Sequence, residues 1–101
     1  MQRTLEDIRN LGRLATLAEL HEDHALASRH HQDRIVELQG RLAKQAAQAG
    51  QHALSDHGGI ASALAQALYE FAAFHIRRGD LDKAEECLRQ ALSLAPTHVP
   101  R

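Results

Sequence analysis

The feature that most limits what this chain can fold into is the pair Gly79-Asp80, set between two apolar stripes of helical spacing and followed downstream by Pro96. Upstream, Leu64, Leu68, Phe71, Phe74 and His75 recur at steps of three and four, the spacing that places side chains on one helix face. Downstream, Ala84, Leu88 and Ala91 repeat the pattern. Glycine suits the left-handed position that closes a helix, aspartate caps the next one, and proline prevents its continuation. The stretch 68–96 therefore predicts a helical hairpin, with helices over about 60–78 and 81–94.

The rest of the sequence agrees with an all-α fold. Hydrophobic residues make up 44% of the 101 residues, but aromatics only 3%, and there is no Trp. Ala and Leu dominate, and both favour helix and allow helices to approach closely, whereas strands draw on β-branched and aromatic residues. This length supports one domain, 1–101, with a modest core. A first helix is expected over about 5–21. Thr4 and Asp7 resemble a capping box, Leu5, Ile8, Leu11, Ala15 and Ala18 share a face, and Leu14 and Leu17 widen it. Glu22-Asp23 interrupts this stripe and offers an aspartate cap to a second helix over about 24–49, with a seam at Ala27, His31, Ile35, Leu38, Leu42, Ala46 and Ala49. The run 50–59, GQHALSDHGG, reads as a linker, with Ser55 or Asp56 as cap for the third helix. The expected architecture is two antiparallel helical hairpins, about 4–50 and 60–96, in an array of four main helices with a frayed tail. The long seam of the second helix needs a cover, from the third helix or from another chain.

The order of residues in the second hairpin resembles a tetratricopeptide repeat. With Ala65 opening the unit, Leu68, Phe71, Ala72 and His75 lie on its first helix, Gly79 at the turn, Ala84, Leu88 and Ala91 on its second helix, and Pro96 at its close. In this reading Ala72 and Ala84 allow close helix approach, and Phe71, Leu88 and Leu92 fill the space around it. The resemblance covers about 65–98 and departs at Leu68, where the family often has Trp, and at His75, where it often has Tyr. A less complete match lies at about 8–42: Leu11, Leu14, Ala15, Ala18, Asp23 and Ala27 fit, while His31, Arg34 and Gln39 replace the expected aromatic, Ala and Pro. The two matches are offset by about 57 residues, longer than one repeat period of about 34. The segment SDHGGIASALAQAL also resembles the start of repeats in the kinesin-light-chain-like subgroup, whose second helices are longer, with Gly58 where that subgroup prefers Pro.

The resemblance implies a non-enzymatic protein-interaction module, an adaptor, scaffold or chaperone-like protein that takes a peptide or helix of a partner in a groove lined by the first helix of each hairpin. It places Gln66, Tyr69, Ala73, Ile76 and Arg77 on that groove from the second hairpin, and Arg9, Thr16, Glu19 and Leu20 from the first. The alternative for these residues is ordinary solvated surface. Chaperone-binding members clamp a peptide carboxylate with Lys, Asn and Arg; Tyr69, Glu70 and Ala73 stand in those places here, which argues against a clamp. Self-association, or an obligate partner, is expected through the seam of the second helix or around Leu88, Leu92 and Leu94.

Other chemistries find little support. No Ser/His/Asp set, phosphate loop or paired carboxylates present themselves, so no catalytic residue or cofactor is assigned. Of the eight histidines, His21, His24 and His31 invite a metal reading, but the segment HEDH has one residue too few to be HExxH, and no metal site is assigned. Cys87, flanked by Glu85 and Glu86, reads as a structural thiol. The rival class is a four-helix signalling domain with phosphotransfer or metal sensing. Its phospho-acceptor histidine would be exposed in mid-helix, and neither His30-His31 followed by Gln32-Asp33, nor His57 before two glycines, fits that pattern. A net charge of −1 gives no basic excess for nucleic acid or an anionic membrane. The lone cysteine, the absence of a signal-peptide core in the first ten residues and the polar breaks at Ser62, Gln66, Glu70 and His75 lead to an expected soluble, cytoplasmic protein with no small-molecule substrate.

Overall fold

The computed structural model describes residues 4–49 and 57–94 as four helices: α1 (Leu5–Leu20), α2 (His24–Ala49), α3 (His57–Arg77) and α4 (Leu81–Leu94). No strand occurs among the described residues. Each helix packs on the next in the chain, α1 on α2, α2 on α3 and α3 on α4. The turns within each hairpin are short, so the paired helices run antiparallel. The third helix thus supplies the cover that the seam of α2 requires. Side chains of Leu5, Ala46 and Ala49, the caps expected at Ser55 or Asp56, and Pro96 with the tail lie outside the described residues.

Local chemistry fixes the helix ends. The Thr4 hydroxyl accepts from the Asp7 N–H at 3.0 Å, and the Thr4 N–H donates to the Asp7 carboxylate at 3.1 Å, a reciprocal capping box. At the second turn Gly79 adopts φ +81, the Asp80 N–H reaches back to the His75 carbonyl at 2.8 Å, and the Gly79 N–H to that of Ile76 at 3.0 Å. These two bonds satisfy carbonyls that the end of α3 would leave open. The first turn has the same form. Glu22 takes φ 61, the Asp23 N–H bonds the Ala18 carbonyl at 2.8 Å, and the Glu22 N–H that of Glu19 at 2.9 Å. Asp23 and Asp80 then cap α2 and α4 through the N–H groups of Leu26 and Lys83. The two turns are therefore structurally equivalent, at the offset of about 57 residues read from the sequence.

Small residues hold the hairpins tight. Ala15 and Ala27 in the first, and Ala72, Ala84 and Ala91 in the second, are all buried. Ile35 and Leu38 of α2 join Leu64, Leu68 and Phe71 of α3 in a continuous core, so one hydrophobic body runs through both hairpins. His31 belongs to it, with its ring 5.2 Å from Phe71 and 5.4 Å from Phe74.

Three expectations require correction. The third helix starts at His57 rather than Ile60, with Gly58 and Gly59 in its first turn although glycine disfavours helix, and the apolar stripe begins only after them. Leu14 and Leu17 do not widen the buried face of α1 but stand exposed on its flank. Leu88 and Leu92 likewise do not fill the hairpin, whose interior Ala84, Cys87 and Ala91 close instead.

Candidate functional site

The first helices of the two hairpins, α1 and α3, present the face on which the groove residues were expected. Arg9, Thr16 and Leu20 are exposed on α1, and Gln66, Ile76 and Arg77 on α3; Glu19, Tyr69 and Ala73 are half-buried. The structure brings two of them into direct contact across the helices. The Arg77 guanidinium donates to both Glu19 carboxylate oxygens, at 2.6 and 2.7 Å. This fork holds the Glu19 carboxyl below its ordinary range and pushes Arg77 above its own. Thr16 is turned toward its own helix, donating to the Gly12 carbonyl at 3.1 Å. The Tyr69 hydroxyl is buried with no hydrogen-bond partner and the residue packs against the core, so it offers this face no polar handle.

Sequence reasoning missed the deeper polar link beneath this face. Arg34 of α2 passes against Gly12 of α1, where a Cβ would lie 2.8 Å from its Nη1, and donates to Glu70 of α3 at 2.5 Å. Gln66 donates to the other Glu70 oxygen at 2.9 Å. Burial works to raise the Glu70 pKa, but the hydrogen bonds from Gln66 and Arg34 outweigh it and hold the carboxyl below its usual value. The missing side chain at Gly12 was the legible signal, since it opens a lane for a long side chain between helices. At one end of the face, Arg9, Arg34, Ile8, Leu38, Ile60 and Ala63 line a cavity of about 180 Å³. It combines an apolar floor with the exposed Arg9 side chain, while the Arg34 guanidinium is already paired with Glu70.

A second opening runs between α2 and α4, on the opposite side of α3. Gln32, Phe71, His75 and Cys87 line one part, and Gln39, Leu42, Leu64 and Leu94 a wider part of about 630 Å³. Cys87 is buried there; burial, and then the charge of Glu86, push its thiol up, so it stays protonated and unreactive.

Two of the histidines, His31 and His75, are buried. His31 is buried among aromatic rings with Nδ1 unpartnered, and burial lowers its pKa to about 4. An imidazole in that setting is not an exposed phospho-acceptor. His75 is buried against Phe71 and is shifted down by burial as well. Among the described residues no three His, Cys, Asp or Glu side chains gather where a metal ion would bind, and no helix is long and apolar enough to cross a membrane.

Two helical hairpins with equivalent turns, alanine contacts and a stacked junction define a tetratricopeptide-like repeat array. Over residues 11–101 the chain matches the family model described as the cilia and flagella-associated protein 70 middle TPR-like domain, and it belongs to that family. No curated protein and no solved structure matches the chain.

Proposed function

We propose that the protein is a non-enzymatic adaptor or scaffold that takes a peptide or helix of a partner protein along the α1–α3 face. The single observation behind this reading is the arrangement of that face. Arg9, Thr16, Gln66 and Ala73 lie along this face, between an apolar cavity beside Arg9 at one end and, at the helix C-terminal end, the pair Glu19–Arg77, whose charges neutralise each other. A partner with an apolar residue for the cavity and a backbone carbonyl or carboxylate for Arg9 fits this chemistry, and a bound helix would present its anchors at i, i+3 or i+4, and i+7. Tetratricopeptide-like domains in general serve protein interaction, which accords with the family. A reducing, cytoplasmic setting accords with the buried free thiol.

The test is affinity capture with the wild-type chain and with Arg9→Glu and Ala73→Glu, each checked for unchanged helicity. Partners that the wild type retains and both variants lose support the α1–α3 face. A partner retained equally by both variants places binding elsewhere and overturns the proposal.

A further inference from the structure

The α2–α3 junction is a template for what should cover the two ends of the array. At the offset that relates the two turns, His31 and Ile35 of α2 correspond to Leu88 and Leu92 of α4, and Phe71 and Phe74 of α3 correspond to Leu14 and Leu17 of α1. Inside the chain, His31 packs on Phe71 and Phe74, and Ile35 lies in the same buried core. Among the described residues the counterparts are only partly covered: Leu14 is 45% exposed, Leu17 52%, Leu88 36% and Leu92 42%. The knobs stand on one end of the molecule and the surface that would receive them on the other.

A third pair follows the same rule. Glu19 and Arg77 bridge α1 to α3 inside the chain. Moved by one offset, their positions become Ile76 of one copy and Leu20 of the next, and both are exposed large apolar residues. An ion pair at the internal junction is matched by an apolar pair at the external one.

We infer that a second copy of this chain docks head to tail, with the Leu88/Leu92 stripe of one copy seated on the Leu14/Leu17 stripe of the next, continuing the α2–α3 packing. The occupant is set by shape, because the free face of α1 is the counterpart of the face that α3 presents to α2. The contact joins two different surfaces, so each added copy leaves one end of each kind free and association is open-ended. An interface built from one helix junction is small, so exchange is rapid and association depends on concentration.

Sedimentation equilibrium of the 101-residue chain, from ~5 to ~500 µM, the range in which so small an interface reports, tests this. The weight-average mass of the wild type should rise with concentration and pass that of a dimer. Leu88→Glu/Leu92→Glu and Leu14→Glu/Leu17→Glu should each remain monomeric alone, yet form a discrete one-to-one dimer when mixed, because each retains one working end. A wild type that stays monomeric overturns the inference. So does a single-face variant that still dimerises, since the contact would then join like surfaces. Should a variant lose its fold, bismaleimide cross-linking in a Cys87→Ser background gives the same decision: Leu17→Cys should link to Leu92→Cys on another copy. A preference for like-with-like links overturns the inference.

Discussion

His31 shows how one residue couples the core to solution conditions. At neutral pH its imidazole is uncharged in both the folded and the unfolded chain. Below the ordinary value of 6.5 the unfolded chain takes up the proton first, while burial holds the folded side chain at about 4. Stability is therefore present above pH 6.5 and is lost as the pH drops toward 4, by on the order of 1–3 kcal/mol across the window. His75, also lowered by burial, adds to the loss with the same sign. His31→Leu places at this position the residue that Leu88 supplies in the second hairpin, and removes an unpartnered buried nitrogen. The variant should unfold no more easily than the wild type at neutral pH and should lose less stability on acidification, as read by urea midpoints between about pH 7.5 and 4.5. A wild-type midpoint that is flat over this range would contradict the buried, neutral imidazole. The sequence placed His31 on the seam of α2 by its spacing. The Phe71 and Phe74 rings beside it were not legible, because the contact lies between hairpins and only the junction of α2 with α3 creates it.

At the scale of elements, the hairpin turns carry the most direct test of the repeat. Gly79 and Glu22 occupy equivalent left-handed positions, φ +81 and φ 61. Glycine enters this region without steric cost, whereas a residue with a Cβ is strained there by roughly 1–2 kcal/mol. Glu22→Gly should therefore stabilise the chain by about 0.5–1 kcal/mol and Gly79→Ala should destabilise it by about 1 kcal/mol, opposite signs that chemical denaturation resolves. A destabilising Glu22→Gly would contradict the turn geometry. Gly79-Asp80 announced its turn in the sequence; Glu22-Asp23 announced only its aspartate cap, because glutamate carries no left-handed preference and tertiary packing imposes the conformation. The exposure of Leu14, Leu17, Leu88 and Leu92 was also beyond helical periodicity, which locates a stripe but not its width. Ala15, Ala27, Ala84 and Ala91 bring the helices so close that only a narrow stripe fits between them.

Across the whole molecule, Arg34 binds three helices together, lying on Gly12 of α1 and pairing with Glu70 of α3. Its side chain is 11% exposed, so it depends on that carboxylate. Glu70→Leu should cost about 1–2 kcal/mol, less than a fully buried pair because Glu70 itself is partly solvated, and a loss of stability confined to within experimental error would show that Arg34 finds another partner. The link also backs the α1–α3 face from below, which makes that face a fixed surface. The sequence indicated the face through its resemblance to a repeat family, but neither the Glu19–Arg77 bridge nor the cavity beside Arg9 was legible, since both arise between helices far apart in the chain. This is the face on which we propose a partner protein docks. Site-specific photo-crosslinking in cells measures that docking most directly, with a photoreactive residue at Arg9 or Gln66 on the face and, as a comparison, at exposed Val36 of α2. The first two positions should cross-link the same partner protein and Val36 should not. Cross-links from Val36, with none from Arg9 or Gln66, would contradict the proposal.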